Sequence, residues 1–171
     1  MRLVLVRHAI AEDREVFAGS GRDDASRPLT PEGRDKMRRG AIGLKELVPE
    51  IDALVSSPLK RAADTADIIA RVYGSLTVER VQDLSPGTPL ERALAWVASL
   101  PGRGTAVVVG HEPDLSRLVC ALLASTNGPF LEFRKGAACL LEFTGPAGRG
   151  TATLDWFLGP KHLRRLGADR D

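Results

Sequence analysis

Aromatic residues make up only 5% of the chain, and cysteine occurs twice. No apolar run approaches the roughly 18 residues that a membrane-crossing helix needs, which excludes such a span. Cys120 and Cys139 stand apart in apolar surroundings, so buried free thiols are expected and a disulfide framework is not, which suits a reducing cytoplasm. The first residues carry no basic stretch, long apolar segment or small-residue cleavage site, so no signal peptide is read there. A dominant charge is also missing. Lys and Arg number 24 against 22 Asp and Glu, a net charge of +2, with both signs mixed along the chain. That balance is a weak nucleic-acid signal. Lys161, Arg164 and Arg165 read as the solvated face of a helix, with no RNA-binding motif beside them. The expectation is a cytoplasmic protein without a membrane or nucleic-acid partner.

What is present is a chain of 171 residues with an ordinary apolar fraction, enough for one domain over 1–171 with a core that needs no staples. Leu3-Val4-Leu5-Val6 reads as a buried strand, ending at Arg7-His8. The stretch 9–28 is polar and without periodicity, long for a connection, as functional or mobile loops are. Thr30-Pro31-Glu32 opens a helix with an N-cap, a proline at the first position and an acid in the first turn. Met37, Ala41, Leu44 and Val48 give it one apolar face. A second strand is expected over Ile51–Ser56. A helix starting at Pro58 follows, with Leu59, Ala63, Ala66, Ile69 and Tyr73 as its apolar residues. A third strand is expected over Leu76–Val81, and a helix is marked by Leu90, Leu94 and Val97. Thr105–Val109 is a clear buried strand running into Gly110-His111, and Leu115, Leu118, Val119 and Leu122 mark the helix after it. Ala137–Phe143 and Thr151–Phe157 read as an antiparallel pair, followed by a short basic helix after Pro160. Strands alternating with helices, then a hairpin, indicate an α/β three-layer sandwich with a mostly parallel central sheet and an antiparallel edge.

Three strand ends carry related chemistry: Arg7-His8, Lys60-Arg61 and Gly110-His111. If the strands are parallel, all three reach the edge where open α/β sheets bind ligands. Arg61 would sit in a helix's first turn, where unpaired amides also favour an anion. A phosphoryl group fits this set. Two guanidiniums can clamp its oxygens, one imidazole can attack phosphorus and the other can donate to a non-bridging oxygen. His8 suits the nucleophile because it adjoins Arg7, and nearby arginines disfavour the imidazolium. A solvated strand end remains the bland reading of any one pair. Other chemistries are thinner. No His-x3-His ligand set exists, and arginines would oppose a dication held by His8, Asp13 and His111. No Gly-x-Ser-x-Gly elbow exists either, and Ser56 and Ser57 are expected to cap the helix. His162 is expected on the surface.

Arg7-His8-Ala9 after the first strand, Ser57-Pro58-Leu59-Lys60-Arg61-Ala62 with Thr65, and Gly110-His111 resemble the histidine phosphatase superfamily. The stretches 27–33, 135–138 and 156–163 are similar to its small SixA-type phosphohistidine phosphatases. The resemblance implies a phosphoglycerate-mutase-like fold. It implies His8 as the phosphoryl-accepting nucleophile, Arg7, Arg61 and His111 as phosphate-binding and catalytic partners, and no metal or other cofactor. Arg27 either faces the site or pairs with the Asp23-Asp24 region. Two departures stand out. Ala9 replaces the family's usual glycine at a position that supplies backbone. Asp83-Leu84-Ser85-Pro86-Gly87 lacks the glutamate that serves many members as general acid, although Glu12, Asp13, Glu112 or Asp114 could replace it. General acid help is worth about 100- to 10,000-fold. Its loss favours a phosphoramidate, which leaves as neutral imidazole, over a phosphate ester. No segment is long enough for a cap, so the substrate implied is a phosphorylated protein, a histidine phosphotransfer domain or a phosphocarrier. The alternatives are a small phosphate ester or a non-catalytic phosphate-binding domain. A monomer is expected.

Overall fold

Leu3, Val4, Leu5 and Val6 are at most 1% exposed. A strand buried this completely must be covered on both faces, which is the position of a central strand in a parallel sheet. The computed structural model describes residues 1–126 and 128–168 and bears this out. Its strands are β1 (Arg2–Arg7), β2 (Ala53–Ser56), β3 (Val78–Arg80), β4 (Thr105–Gly110), β5 (Ala138–Glu142) and β6 (Thr153–Leu158). They form one sheet in the order β3-β2-β4-β1-β5-β6. The first four are parallel, and β5 and β6 are antiparallel additions.

The helices are α1 (Arg14–Ala18), α2 (Pro31–Leu47), α3 (Lys60–Val72), α4 (Leu90–Ala98), α5 (Asp114–Ala124) and α6 (Pro160–Leu166). Alternate strand residues separate the two cores, as the period of two requires. Val4, Val6, Val107 and Val109 pack with Met37, Ala41 and Leu44 of α2, Ala66 and Ile69 of α3, and Leu163 of α6. Leu3, Leu5, Val55 and Val108 pack with Leu94 and Val97 of α4 and Leu115, Leu118 and Leu122 of α5. This is the three-layer α/β sandwich expected from the sequence. Each such valine, leucine, isoleucine or methionine side chain contributes about 1.5–3 kcal/mol when fully buried.

Some local expectations shift. The second strand begins at Ala53, and just before it Asp52 pairs with Thr105 twice, its N–H donating to the Thr105 carbonyl at 2.8 Å and its carboxylate accepting from the Thr105 N–H at 2.7 Å. The third strand is only Val78–Arg80. The buried face of α3 includes Ala62 and Thr65 as well as Ala66 and Ile69, one position round from the face read through Leu59 and Ala63. The polar stretch 9–28 holds α1, capped by the Asp13 carboxylate on the N–H groups of Glu15 and Val16 and anchored by buried Phe17. An isolated antiparallel bridge between Ala11 and Leu29 ties the base of that stretch together. Cys120 and Cys139 are buried free thiols. No helix among the described residues is long and apolar enough to cross a membrane.

The contact of α2 with α6 depends on a missing side chain. A Cβ at Gly43 would run into the backbone carbonyl of Leu163, so the two helices meet at this distance only with glycine there. Gly43→Ala gains helix propensity worth about 1 kcal/mol but forces the helices apart. The expected net loss is about 1–2 kcal/mol in unfolding free energy by urea titration. A midpoint equal to or above that of the unsubstituted protein would contradict this packing.

Candidate active site

The parallel strands β1, β4 and β2 end on one edge of the sheet, and backbone hydrogen bonds carry the ladder past their ends. The His8 N–H donates to the Gly110 carbonyl and the Ser57 N–H to the Val109 carbonyl, both at 3.0 Å. On the other side of β1, the Arg7 N–H donates to the Ala137 carbonyl at 3.0 Å and the Gly136 N–H to the Arg7 carbonyl at 3.1 Å. Gly136 sits at a φ of 78°, a left-handed conformation in which a side chain would be strained. The residues at this edge therefore have little freedom of position.

His8 and His111 are brought together, with ring centroids 5.1 Å apart at an interplanar angle of 55°. His8 Nδ1 lies 2.8 Å from the Ala9 carbonyl oxygen, which can only accept, so Nδ1 carries the proton and Nε2 is left with its lone pair. Ala9 takes part through its backbone alone. Its N–H donates to Thr65 Oγ1 at 3.0 Å, and that hydroxyl donates to the Arg61 carbonyl at 2.7 Å. Thr65 thus couples the end of β1 to the first turn of α3. The proton affinity of His8 is pushed down to about 3, first by burial and then by Arg61, Arg7 and Lys135, against the opposing Ala9 hydrogen bond. The sequence reading credited the arginines with this effect, but burial is the larger cause. His111 is lowered to about 2 by burial, His8 and Arg61. Both rings are neutral near pH 7.

Ser57 departs from its expected role. The N-cap position of α3 is Leu59, without a side-chain cap. The Leu59 N–H reaches Ser57 Oγ at 3.3 Å, while the same hydroxyl lies 2.9 Å from His111 Nε2. The hydroxyl keeps a second lone pair, so it can give its proton to Nε2 or accept one from it, and the first arrangement is the one that leaves Nδ1 of His111 as an N–H donor. Ser56 instead donates to the Ser57 carbonyl at 2.6 Å.

Arg7 donates from NH1 to the Phe133 carbonyl at 2.5 Å. Arg61 donates from NH1 to the Asp24 carbonyl at 3.0 Å and lies 3.1 Å from its carboxylate. Asp24 also receives Arg27 Nε at 2.8 Å. Burial pushes the Asp24 carboxyl up, but the Arg27 hydrogen bond and the Arg61, Arg27 and Arg14 charges outweigh it and hold the carboxyl below the ordinary range. Of the two readings of Arg27, the ion pair is the one observed; the residue is buried with its NH1 on the Glu12 carbonyl at 2.7 Å. His162 is exposed.

Three side-chain nitrogens at this edge are buried without a hydrogen-bond partner among the described residues: Arg7 Nε, Arg61 Nε and His111 Nδ1. Leaving a buried donor unmatched costs about 1–3 kcal/mol each, more when charged. An anion with several acceptor oxygens would satisfy them. Of the four carboxylates considered as proton donors, three accept hydrogen bonds. Asp13 caps α1, Glu112 accepts from Ser116 and from the Phe133 N–H, each at 2.6 Å, and Asp114 accepts from the Gly87 N–H at 3.0 Å. Glu12 lies 4.0 Å from Arg22. Asp24, Ser57 and Lys135 are the polar neighbours not assigned from sequence. Ser57 follows directly after a strand end, the same signal that marked His8 and His111.

Residues 3–85 match the family model described as histidine phosphatase superfamily (branch 1). The chain is 34% identical over 137 residues to an uncharacterized protein of Picosynechococcus, covering 79% of this chain and 81% of that one. It is 27% identical over 167 residues to the phosphohistidine phosphatase SixA of Escherichia coli, covering 96% of this chain and 97% of that one. The solved structure of the protein histidine phosphatase SixA complexed with tungstate superposes with a TM-score of 0.79 at 26% identity, covering 95% of this chain and 99% of that one.

Neutral buried histidines carry a stability consequence. The unfolded chain protonates His8 and His111 below about pH 6.5 while the folded protein does not, so the unfolded state binds more protons and stability falls as the pH is lowered. Each ring contributes a slope of up to about 1.4 kcal/mol per pH unit below pH 6.5, continuing until the folded-state value is reached. Urea unfolding at pH 5, 6 and 7 should show stability rising with pH, and the rise should be shallower in His111→Gln. Equal slopes in the two proteins would contradict a neutral His111.

Proposed function

The chain belongs to the histidine phosphatase superfamily, whose members are phosphatases, and from that premise we propose that it removes the phosphoryl group from protein phosphohistidine through a covalent intermediate on His8. The observation that carries this reading is the trio of buried, unmatched nitrogens, Arg7 Nε, Arg61 Nε and His111 Nδ1, beside a histidine whose Nε2 is unprotonated. In the first half-reaction the His8 Nε2 lone pair forms a bond to phosphorus. The bond from phosphorus to the substrate's imidazole nitrogen breaks, and that nitrogen leaves with a proton taken from solvent. In the second, water attacks phosphorus, the bond to Nε2 breaks, and inorganic phosphate departs. Arg7, Arg61 and His111 hold the phosphoryl oxygens and spread the developing charge through both steps. Asp24 holds Arg61 through its carbonyl and carboxylate, and in this reading Ser57 donates to His111 Nε2, which leaves the proton on Nδ1. None of these roles calls on a metal.

Phosphohistidine is favoured over a phosphate ester by the leaving group. An alkoxide needs a proton donor close at hand, whereas imidazole leaves neutral once protonated. Asp83, where the family's acid is expected nearby, pairs with Arg92 at 2.5 Å, and Asp13, Glu112 and Asp114 each accept hydrogen bonds. The substrate this reading implies is a phosphotransfer domain or a phosphocarrier. A second reading, a small phosphate ester as substrate, is favoured by one feature: a cavity of about 180 Å³ in which Asp114 and Asp83 line the wall with His111.

His8→Ala should lose turnover by roughly 10⁴-fold or more and form no phosphoenzyme, with far-UV circular dichroism unchanged. Retained turnover would refute the nucleophile assignment. The unsubstituted protein should act faster on a phosphohistidine protein than on any of a panel of sugar and nucleotide phosphates. A higher kcat/KM on an ester would move the substrate to the second reading. Phosphate affinity without turnover on any substrate would make the chain a binding domain.

A further inference from the structure

A cavity of about 480 Å³ opens next to the site, reaching Ala9, the residue whose carbonyl holds the His8 ring. Its wall carries five cations, Lys36, Arg134, Lys135, Lys161 and Arg164, against a single acid, Glu132. Lys36 is paired with Glu32 on its own helix. The side chains of the other four make no hydrogen bond or ion pair with a described residue. Over the whole chain the two signs nearly cancel, so this is a local concentration of positive charge. Lys135 links the two regions, lining the cavity while acting electrostatically on His8.

We propose that this basic cavity is the docking site for an acidic surface patch beside the phosphohistidine of a protein substrate, which rests on the reading of His8 as phosphoryl acceptor. The exposure of the cations favours a protein over a small molecule. Arg134, Lys135 and Lys161 are exposed and come from two separate segments, the approach to β5 and the start of α6. Spread in this way, they meet several carboxylates of a broad surface at once, where one small anion would reach only a few of them. Because the cavity starts at Ala9, a protein whose phosphorylated side chain reaches His8 covers it with the surface around that side chain. Unpaired cations near a site also raise the encounter rate of an acidic partner, and salt screens the effect.

The test compares the unsubstituted protein with a Lys161→Glu/Arg164→Glu double variant, and with the milder Lys161→Gln/Arg164→Gln pair in case charge reversal disturbs α6. The substrates are a phosphohistidine-bearing phosphotransfer domain with an acidic surface, phosphoramidate, and a nucleoside diphosphate, each at low and high salt. On the protein substrate KM should rise about tenfold or more in the Glu pair and less in the Gln pair, with kcat unchanged and a weaker response to salt. Rates on phosphoramidate should not change. An unchanged KM on the protein would overturn the docking proposal and leave the phosphatase reading standing. An equal rise on phosphoramidate would overturn it by tracing the effect to the phosphoryl site. A loss confined to the nucleoside diphosphate would overturn it by giving the cavity to a small molecule. Absence of any turnover of the protein by the unsubstituted enzyme would overturn both readings.

Discussion

The register of β1 against β4 is the constraint on which the site depends. Arg7 lies opposite Gly110, and the next rung is the His8 N–H on the Gly110 carbonyl. A slip of one residue would turn Leu3, Val4, Leu5 and Val6 to the opposite faces and exchange the two cores. The buried valines and leucines that fix this register therefore also fix His8 beside His111. Ser57 joins the same ladder through the Val109 carbonyl, which brings a hydroxyl to His111 and Arg61 into the first turn of α3.

Burial sets the electrical state of that edge. It keeps both imidazoles neutral and works together with the guanidiniums, so an unprotonated ring nitrogen coexists with two cations. Asp24 balances part of the charge by pairing with Arg61 and Arg27, and it does so from the stretch containing α1. The polar connection 9–28 is thus a working part of the site, supplying the residue that aims Arg61. The unmatched Arg7 Nε, Arg61 Nε and His111 Nδ1 are the counterpart of this arrangement, a stability cost that a bound phosphoryl group would relieve.

Much of this was legible because the apolar pattern of a buried parallel sheet is strong and the strand ends carry unusual residues. Leu3–Val6 and Thr105–Val109 needed only their runs of valine and leucine, and the parallel arrangement then brought Arg7, His8, Arg61 and His111 to one edge. Less legible were features set by tertiary contact. The helix α1 is too short for periodicity, and its Asp13 cap and buried Phe17 matter only against the folded body. Ser57 looked like a helix cap because its partner, His111, is 54 residues away in sequence. At the start of the second strand Asp52 meets Thr105 through both its backbone N–H and its carboxylate, a pairing across 53 residues that no local pattern encodes.

A crystal structure with bound vanadate tests the central assignment most directly. The expected result is a vanadate with its apical bond to His8 Nε2 and its equatorial oxygens accepting from Arg7 Nε, Arg61 Nε and His111 Nδ1. Vanadate bound elsewhere, or at this edge with His8 Nε2 uninvolved, would contradict His8 as the phosphoryl acceptor.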